Sequence, residues 1–248
     1  MKWRSLEESK TGPDARPLRV QFAERKALIE KLVPADLTAV HKQVVDDLKK
    51  SGIAERSLQI GAKAPAFELP DQNGKPVSSA QLLQHHRLIL CFIRGRWDPF
   101  CCGQLEAMNA FVPQFEQAGA SVTFFSPQTV KHSFFTHDQH KPHFPLLSDV
   151  GNQVARQFGI VYRVPNQPPT DQQEIYRRVF INLPNTNGDA SWELPIPATY
   201  ILDRDRTVVY AYANPDYTDR PEPAAILEQL IAVGGQDSTR HKDKTVEP

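Results

Sequence analysis

A chain of 248 residues, with 29 Lys and Arg against 29 Asp and Glu and 40% hydrophobic residues, can build one large α/β domain or one domain with an appendage. A formal charge of zero and no long basic run give no electrostatic basis for capturing nucleic acid or an anionic membrane. No stretch approaches about 18 uninterrupted apolar residues, and the N-terminus MKWRSLEESK lacks the apolar core of a secretory signal, so a cytoplasmic soluble protein is expected.

In chain order, residues 1–15 are polar and expected to be mobile. PLRVQFAERKALIEKLV places Leu18, Phe22, Leu28, Ile29 and Leu32 on one helical face, and ADLTAVHKQVVDDLKKSGI repeats the device with Leu37, Val40, Val44 and Leu48. Gly52 followed by Ile53 marks a helix stop. These helices form an N-terminal extension, residues 1–56, whose apolar faces suit packing on the rest of the chain or a homodimer. A main domain over 57–233 follows, in which short apolar strands alternate with helices, the pattern of a mainly parallel sheet covered on both faces. AFEL reads as a strand and DQNGK as a turn around Asn73-Gly74. RLILCFI, residues 87–93, is a continuous apolar run too short for a buried helix and reads as a central strand.

Asp98-Pro99 then opens a helix with Leu105, Met108 and Phe115 on its inner face and Gly119 at its stop. SVTFFS is the next strand, 129–140 the next helix, and FPLLSD introduces another helix ending near Gly159. The Pro- and Asn-rich stretch 163–197 reads as an irregular insertion. ATYILD and TVVYAYA form a hairpin across RDR, PEPAAILEQLIAV supplies a last helix, and the tail 234–248 is expected to be disordered.

The chemistry concentrates in RGRWDPFCCGQ, residues 94–104. Three cysteines, Cys91, Cys101 and Cys102, are too few for a disulfide framework and in a reducing compartment are free thiols. With Asp98 as N-cap and Pro99 at the first helical position, Cys101 falls in the first turn, where unpaired N–H groups and the helix dipole favour a thiolate. Such a site can lower a cysteine pKa from about 8.5 to roughly 3.5–7.5. The alternative is an inert, half-buried thiol. Cys91 sits within the strand and reads as structural, and Cys102 as a packed small residue. HSFFTHDQHKPH gathers His132, His137, His140 and His143, but in no metal-site spacing, and one helix cannot aim all four inward. Asp219 and Glu222 read as capping residues.

LCFIRGRWDPFCCGQLEAMNAF, FFSPQT, FPLLSDVGNQVARQFGIVY, SWELPIPATYILDRDRTVVYAYANPDYT and PAAILEQL, in that order, resemble the peroxiredoxin-like branch of the alkyl hydroperoxide reductase and thiol-specific antioxidant family. The resemblance runs from about residue 60 to 232. It implies an α/β thioredoxin-like fold, a central mixed sheet flanked by helices, preceded by an N-terminal helical extension. It also implies a thiol-dependent peroxidase acting on hydrogen peroxide or organic hydroperoxides, with Cys101 as nucleophile and no metal or organic cofactor. The sulfenic acid formed on Cys101 would be reduced by a thioredoxin-like protein or a low-molecular-weight thiol. The usual W-C-P-x-C motif reads here Trp97-Asp98-Pro99-Phe100-Cys101, so the first cysteine is absent. That departure keeps open a non-catalytic binding module and, less well, a thiol–disulfide oxidoreductase.

Around Cys101, Asp98 is either the helix cap alone or also a group that accepts a hydrogen bond from the thiol or relays its proton. An ionised carboxylate about 5 Å from a thiolate costs about 3 kcal/mol at an effective dielectric of about 20, more than a helix terminus returns. Reactivity therefore requires that Asp98 be turned to the backbone, protonated, or neutralised by Arg94 or Arg96, either of which could also polarise a peroxide oxygen. Trp97, Pro99, Pro197 and Thr199 are the expected substrate-side residues. The resemblance places Pro197 where thioredoxin-fold oxidoreductases carry a cis-proline facing the cysteine.

Overall fold

The apolar run RLILCF forms the middle strand of a five-stranded mixed sheet, and the rest of the fold is arranged around it. A computed structural model describes residues 16–242, with side chains up to residue 234. The expectation of mobility for 1–15 lies outside the described residues. The chain begins with α1 (Leu18–Leu32) and α2 (Ala35–Lys50). A hairpin of β1 (Glu68–Pro70) and β2 (Pro76–Ser78) turns at Gly74 and enters α3 (Ser79–Leu82) through a Ser78–Gln81 capping box. Next come β3 (Arg87–Phe92), α4 (Pro99–Ala110), α5 (Val112–Gln117), β4 (Ala120–Ser126), α6 (Val130–His140), β5 (Leu146–Ser148) and α7 (Gln153–Gln157). After them run β6 (Val161–Arg163), α8 (Gln172–Arg178), α9 (Leu183–Asn187), β7 (Glu193–Pro195), β8 (Ala198–Leu202), β9 (Val208–Ala213) and α10 (Pro223–Lys242).

The main sheet has the order β5-β4-β3-β8-β9, with β3, β4 and β5 parallel and β8 and β9 antiparallel to their neighbours. Side chains of β3 alternate between two cores, as a strand period of two requires. Leu88, Leu90 and Phe92 pack with Phe125, Phe158 and Tyr200 on one face. Ile89, Cys91 and Ile93 pack on the other with Leu105, Met108, Phe115, Ile226 and Leu230, from α4, α5 and α10. Burying each large apolar side chain contributes roughly 1.5–3 kcal/mol. Cys101, Leu105 and Met108, at i, i+4 and i+7, share the inner stripe of α4. The residue proposed as a nucleophile is thereby held against the back of β3.

The N-terminal extension packs on the opposite side of α4. Phe22 meets Phe100 edge-on at 5.1 Å. Gly103 permits this approach, because a Cβ there would lie 2.7 Å from the Phe22 ring. Pro17 offers α1 no side-chain cap. Glu222 supplies it from across the chain, accepting the Leu18 and Arg19 N–H groups at 2.8 Å each. The predicted apolar face of α1 is only partly used: Leu18 and Phe22 are buried, whereas Leu28 and Leu32 are 53% and 55% exposed, beyond the reach of α4.

The 163–197 stretch is not irregular. The antiparallel β6–β7 ribbon frames α8 and α9, whose starts are capped by Asp171 and Asn182. The tail is helical as far as Lys242, because Ile226 and Leu230 anchor α10 in the core and a helix once nucleated tolerates the glycine pair at about 1 kcal/mol each. Residues 243–248 of the predicted disordered tail lie outside the described residues. Pro197 follows a trans bond, and the cis X-Pro bond described is Pro168-Pro169. Ile196 N–H donates to Ile160 O and Asn214 N–H to Pro197 O, so the chain runs extended from β7 into β8, a course that a trans peptide serves. Among the described residues no helix is long and apolar enough to cross a membrane.

Candidate active site

Beyond β3 the backbone turns at Gly95, φ 142°, where a Cβ would lie 2.8 Å from Trp97 Nε1 and 3.1 Å from Gln128 Oε1. Only glycine suits that position. The turn delivers Asp98 to the start of α4 in the extended conformation of an N-cap (φ −91°, ψ 112°). Its Oδ1 accepts the Phe100 N–H at 3.0 Å, and Pro99 occupies the first helical position. Its other oxygen does different work: Oδ2 accepts the Cys101 Sγ–H at 2.8 Å. The cap and the thiol partner are thus the same side chain.

Two arginines converge on this pair. Arg94 places Nε and Nη2 each 2.9 Å from Asp98 Oδ2. Arg220, from the loop after β9, sets Nη2 at 3.6 Å from Cys101 Sγ and 3.9 Å from Asp98 Oδ2. The Arg94 backbone N–H also points at the sulfur, at 3.4 Å. Arg94, Asp98, Cys101 and Arg220 are all buried. With the thiol protonated the cluster carries two positive charges and one negative. Ionisation of Cys101 would bring it to neutrality.

Burial would push the Asp98 carboxyl up, but Arg94 and then Arg220 outweigh it and hold Asp98 below the ordinary carboxylate range. For Cys101, burial and then the Asp98 charge push the thiol up to about 11, against the opposing pull of Arg220 and Arg94. This corrects the expectation of an accessible, low-pKa thiolate. Cys101 is 0% exposed, because its helix stripe faces the core, and at neutral pH it is a thiol donating to a carboxylate.

Arg96 also departs from expectation. It is exposed and points at the Phe135 ring, 5.8 Å away, so Arg94 alone of the two flanking arginines neutralises Asp98. Cys102 is partly exposed and donates to Arg96 O at 3.2 Å. Cys91 is buried in β3, 3.7 Å from Thr199 Oγ1, and burial pushes its thiol up to about 12. Thr199 is buried within the sheet and reaches the site only indirectly: Gln104 Nε2 donates to it at 3.2 Å, while Gln104 Oε1 accepts from Arg220 Nε at 2.8 Å. Trp97 and Pro99 line a cavity of about 630 Å³ beside the cluster, and Pro197 borders a smaller one beneath Arg94.

Arg220, Gln104, His41, Tyr176 and Tyr217 are parts of the site that sequence reasoning missed. The Arg94 guanidinium lies 3.9 Å over the Tyr217 ring and 3.5 Å from Tyr176 OH. Of the histidine group, His132 bonds Thr129 at 2.9 Å and His140 pairs with Glu106 at 2.9 Å. Among the described residues no cluster of three or more His, Cys, Asp or Glu could hold a metal ion.

The AhpC/TSA family model matches residues 60–211, well over half the chain, spanning β3, β4, β5 and β8 of the main sheet and the first part of β9. The chain belongs to the AhpC/TSA family. Among its relatives is the chloroplastic peroxiredoxin Q of Arabidopsis thaliana, 28% identical over 181 residues and covering 71% of each chain. The chloroplastic peroxiredoxin Q of Triticum aestivum is 29% identical over 165 residues, or 66% of this chain and 63% of the wheat protein. A crystal structure of peroxidoxin BcpB from Mycobacterium tuberculosis superposes with a TM-score of 0.55 at 24% identity, covering 71% of this chain and 98% of that one, and so shares the fold. As an AhpC/TSA protein with peroxiredoxin relatives, the chain is a peroxiredoxin-like thiol peroxidase of the thioredoxin fold. The expectation of a cytoplasmic location is overturned, since the plant relatives are chloroplastic. An apolar leader marks secretion, whereas organellar transit peptides are amphipathic and Arg- and Ser-rich, so a polar stretch such as MKWRSLEESK is no argument for the cytoplasm.

Proposed function

We propose that this AhpC/TSA protein reduces hydroperoxides through Cys101, with Asp98 as the proton carrier and Arg94 and Arg220 as the charges that stabilise the reacting sulfur and oxygen. The observation that carries the proposal is the 2.8 Å Sγ–H···Oδ2 bond lying within reach of two buried guanidinium groups. In the first step the thiol proton passes to Asp98 Oδ2 and the sulfur attacks the terminal oxygen of ROOH. The S–O bond forms as the O–O bond breaks, sulfur loses two electrons, and the departing alkoxide takes the proton from Asp98 and leaves as ROH. Cys101 is left as the sulfenic acid. An external thiol then condenses with it, releasing water and forming a mixed disulfide, and a second thiol restores Cys101 as the reductant leaves as its disulfide. A thioredoxin-like protein or a low-molecular-weight thiol fits this role.

A thiol–disulfide oxidoreductase is disfavoured, since Asp98 stands where that chemistry needs a cysteine. Cys102 is no substitute, because a bridge between adjacent residues is strained. A binding module without catalysis would have no use for two buried arginines around one thiol. The test is single-turnover oxidation by peroxide, with sulfenic acid trapping and mass spectrometry of each cysteine. Cys101→Ser is expected to abolish peroxide-dependent oxidation, while Cys91→Ser and Cys102→Ser retain most of it. A dead Cys102 variant would refute the assignment.

A further inference from the structure

We infer that Tyr217 is a positioning residue for the thiol chemistry, holding both guanidinium groups of the cluster: Arg94 through the face of its ring and Arg220 through its carbonyl oxygen. This rests on the peroxidase reading and adds to it a residue that acts on the sulfur only through the two arginines. The Arg94 guanidinium lies 3.9 Å over the Tyr217 ring, inside the roughly 6 Å reach of a cation–π contact. The Tyr217 carbonyl accepts Arg220 Nη1 at 2.5 Å. Two cations on one carboxylate leave the cluster with a net positive charge while Cys101 is a thiol. The negative face of the ring offsets part of that excess on Arg94 without drawing it off the carboxylate, and Arg94 Nε and Nη2 stay 2.9 Å from Asp98 Oδ2.

The loop after β9 delivers Tyr217 by local side-chain bonds. Asn214 Oδ1 accepts the Asp216 N–H at 2.9 Å, and Asp216 Oδ1 accepts the Thr218 N–H at 3.0 Å and the Thr218 hydroxyl at 2.7 Å. Two such turns in succession fix the backbone on both sides of residue 217. The ring is seated by α2 and α4: His41 lies 6.1 Å from it and Phe100 5.9 Å, both edge-on, and Phe100 in turn meets Phe22 of α1. The ring also borders the pocket of about 630 Å³ between the α1–α2 pair and the rest of the chain. Tyr217, α1 and α2 all lie outside the stretch matched by the family model, residues 60–211.

The ring and the carbonyl separate by substitution, because a change of side chain leaves the carbonyl in place. Tyr217→Phe keeps the ring, Tyr217→Leu removes it, and pentafluorophenylalanine at position 217 keeps the shape but reverses the charge of the face. In a Cys91→Ser, Cys102→Ser background, where Cys101 is the thiol that reacts, alkylation by iodoacetamide is followed from pH 7 to pH 10, with peroxide oxidation of Cys101 measured alongside. The Phe variant is expected to match its parent within about twofold. Without an attractive ring face Arg94 is freer to leave Asp98, whose charge then bears more fully on the sulfur. Leu and the fluorinated ring should therefore each move the alkylation profile upward by about one pH unit, a tenfold loss of rate below the thiol pKa, and slow peroxide oxidation with it. A loss confined to Leu would mean that the ring only fills space and would overturn the inference. Parent profiles in both, or a Phe variant as impaired as Leu, would overturn it too. If peroxide oxidises Cys101 in none of these proteins, the parent included, the peroxidase reading fails while the alkylation profiles still decide Tyr217.

Discussion

Arg220 places Nη2 3.6 Å from Cys101 Sγ although 119 residues separate them in the chain. It is fixed there by Gln104 Oε1 at 2.8 Å and by the carbonyls of Tyr217 and Asp219. Those bonds orient the guanidinium independently of the sulfur. The charge is in place before the thiol ionises, which is the arrangement that costs no reorganisation during reaction.

Replacing this charge tests the arrangement. Arg220→Met is expected to slow Cys101 oxidation by peroxide about 10²–10³-fold and to move the thiol titration further upward. Arg220→Lys should recover part of the rate, since it restores charge but not the fork that grips Gln104. Stopped-flow kinetics with hydrogen peroxide reads both. Equal rates in the Met variant and the wild type would remove Arg220 from the mechanism.

Asp98→Asn separates the two duties of that side chain. The cap survives, while the charge that pushes the Cys101 thiol up is lost and Arg94 and Arg220 are left unopposed. The thiol pKa is expected to fall and alkylation by iodoacetamide at neutral pH to quicken. Peroxide reduction should slow, because iodide leaves without a proton whereas an alkoxide needs one, a contribution of typically 10²–10⁴-fold. Leaving Arg94 buried without its partner costs about 3–5 kcal/mol, so both rates are compared at a temperature where the variant is fully folded. Faster alkylation together with faster peroxide reduction would reduce Asp98 to a cap.

Strand β3 and the start of α4 were legible from local rules: a bounded apolar run, then Asp-Pro, then the stripe of Cys101, Leu105 and Met108. The α8 and α9 starts carried the same kind of signal in Asp171 and Asn182, obscured by the prolines and asparagines around them. Arg220 had no local signal, since the path of its loop is set by hydrogen bonds to residues remote in sequence. The burial of Cys101 was equally hidden. A first-turn position suggests access, and only the packing of the Cys101, Leu105 and Met108 stripe against β3, with Arg94 and Arg220 around the sulfur, shows that the thiol is enclosed. Periodicity likewise gave α1 an apolar stripe without saying that α4 would cover only its first two turns.

The raised Cys101 pKa makes the fold sensitive to base. The unfolded thiol ionises near its ordinary value of 9.0, the folded one only at about 11. The unfolded state therefore binds fewer protons across that interval, and stability falls as pH rises through it. Two pKa units correspond to about 3 kcal/mol. Urea unfolding at pH 8 and at pH 11 should show the wild type losing about that much more than Cys101→Ser, with Cys91 contributing equally to both. Parallel losses in the two proteins would mean that the thiol is solvated.

His41 sets the opposite limb. Burial first, then the positive charge of Arg94, lower its pKa to about 4 from 6.5, with Asp98 pulling the other way. A base depressed in the folded state contributes stability that is complete above the unfolded pKa and is lost as pH falls toward the folded one. The window is therefore pH 6.5 to about 4, and its size about 3 kcal/mol. His41→Gln keeps a hydrogen-bonding side chain opposite Gln172 but cannot titrate. The wild-type stability, measured relative to this variant by urea unfolding at pH 4 to 7.5, is expected to be flat above pH 7 and to drop by about 3 kcal/mol by pH 4. Asp98, which titrates below this window and is present in both proteins, does not enter the difference. The same depressed pKa keeps the imidazole uncharged at neutral pH, where Asp98 is ionised and Cys101 is a thiol, so His41 adds no third positive charge to the cluster. A difference curve without the drop would show that the α2 helix leaves His41 open to water, and the pocket with it.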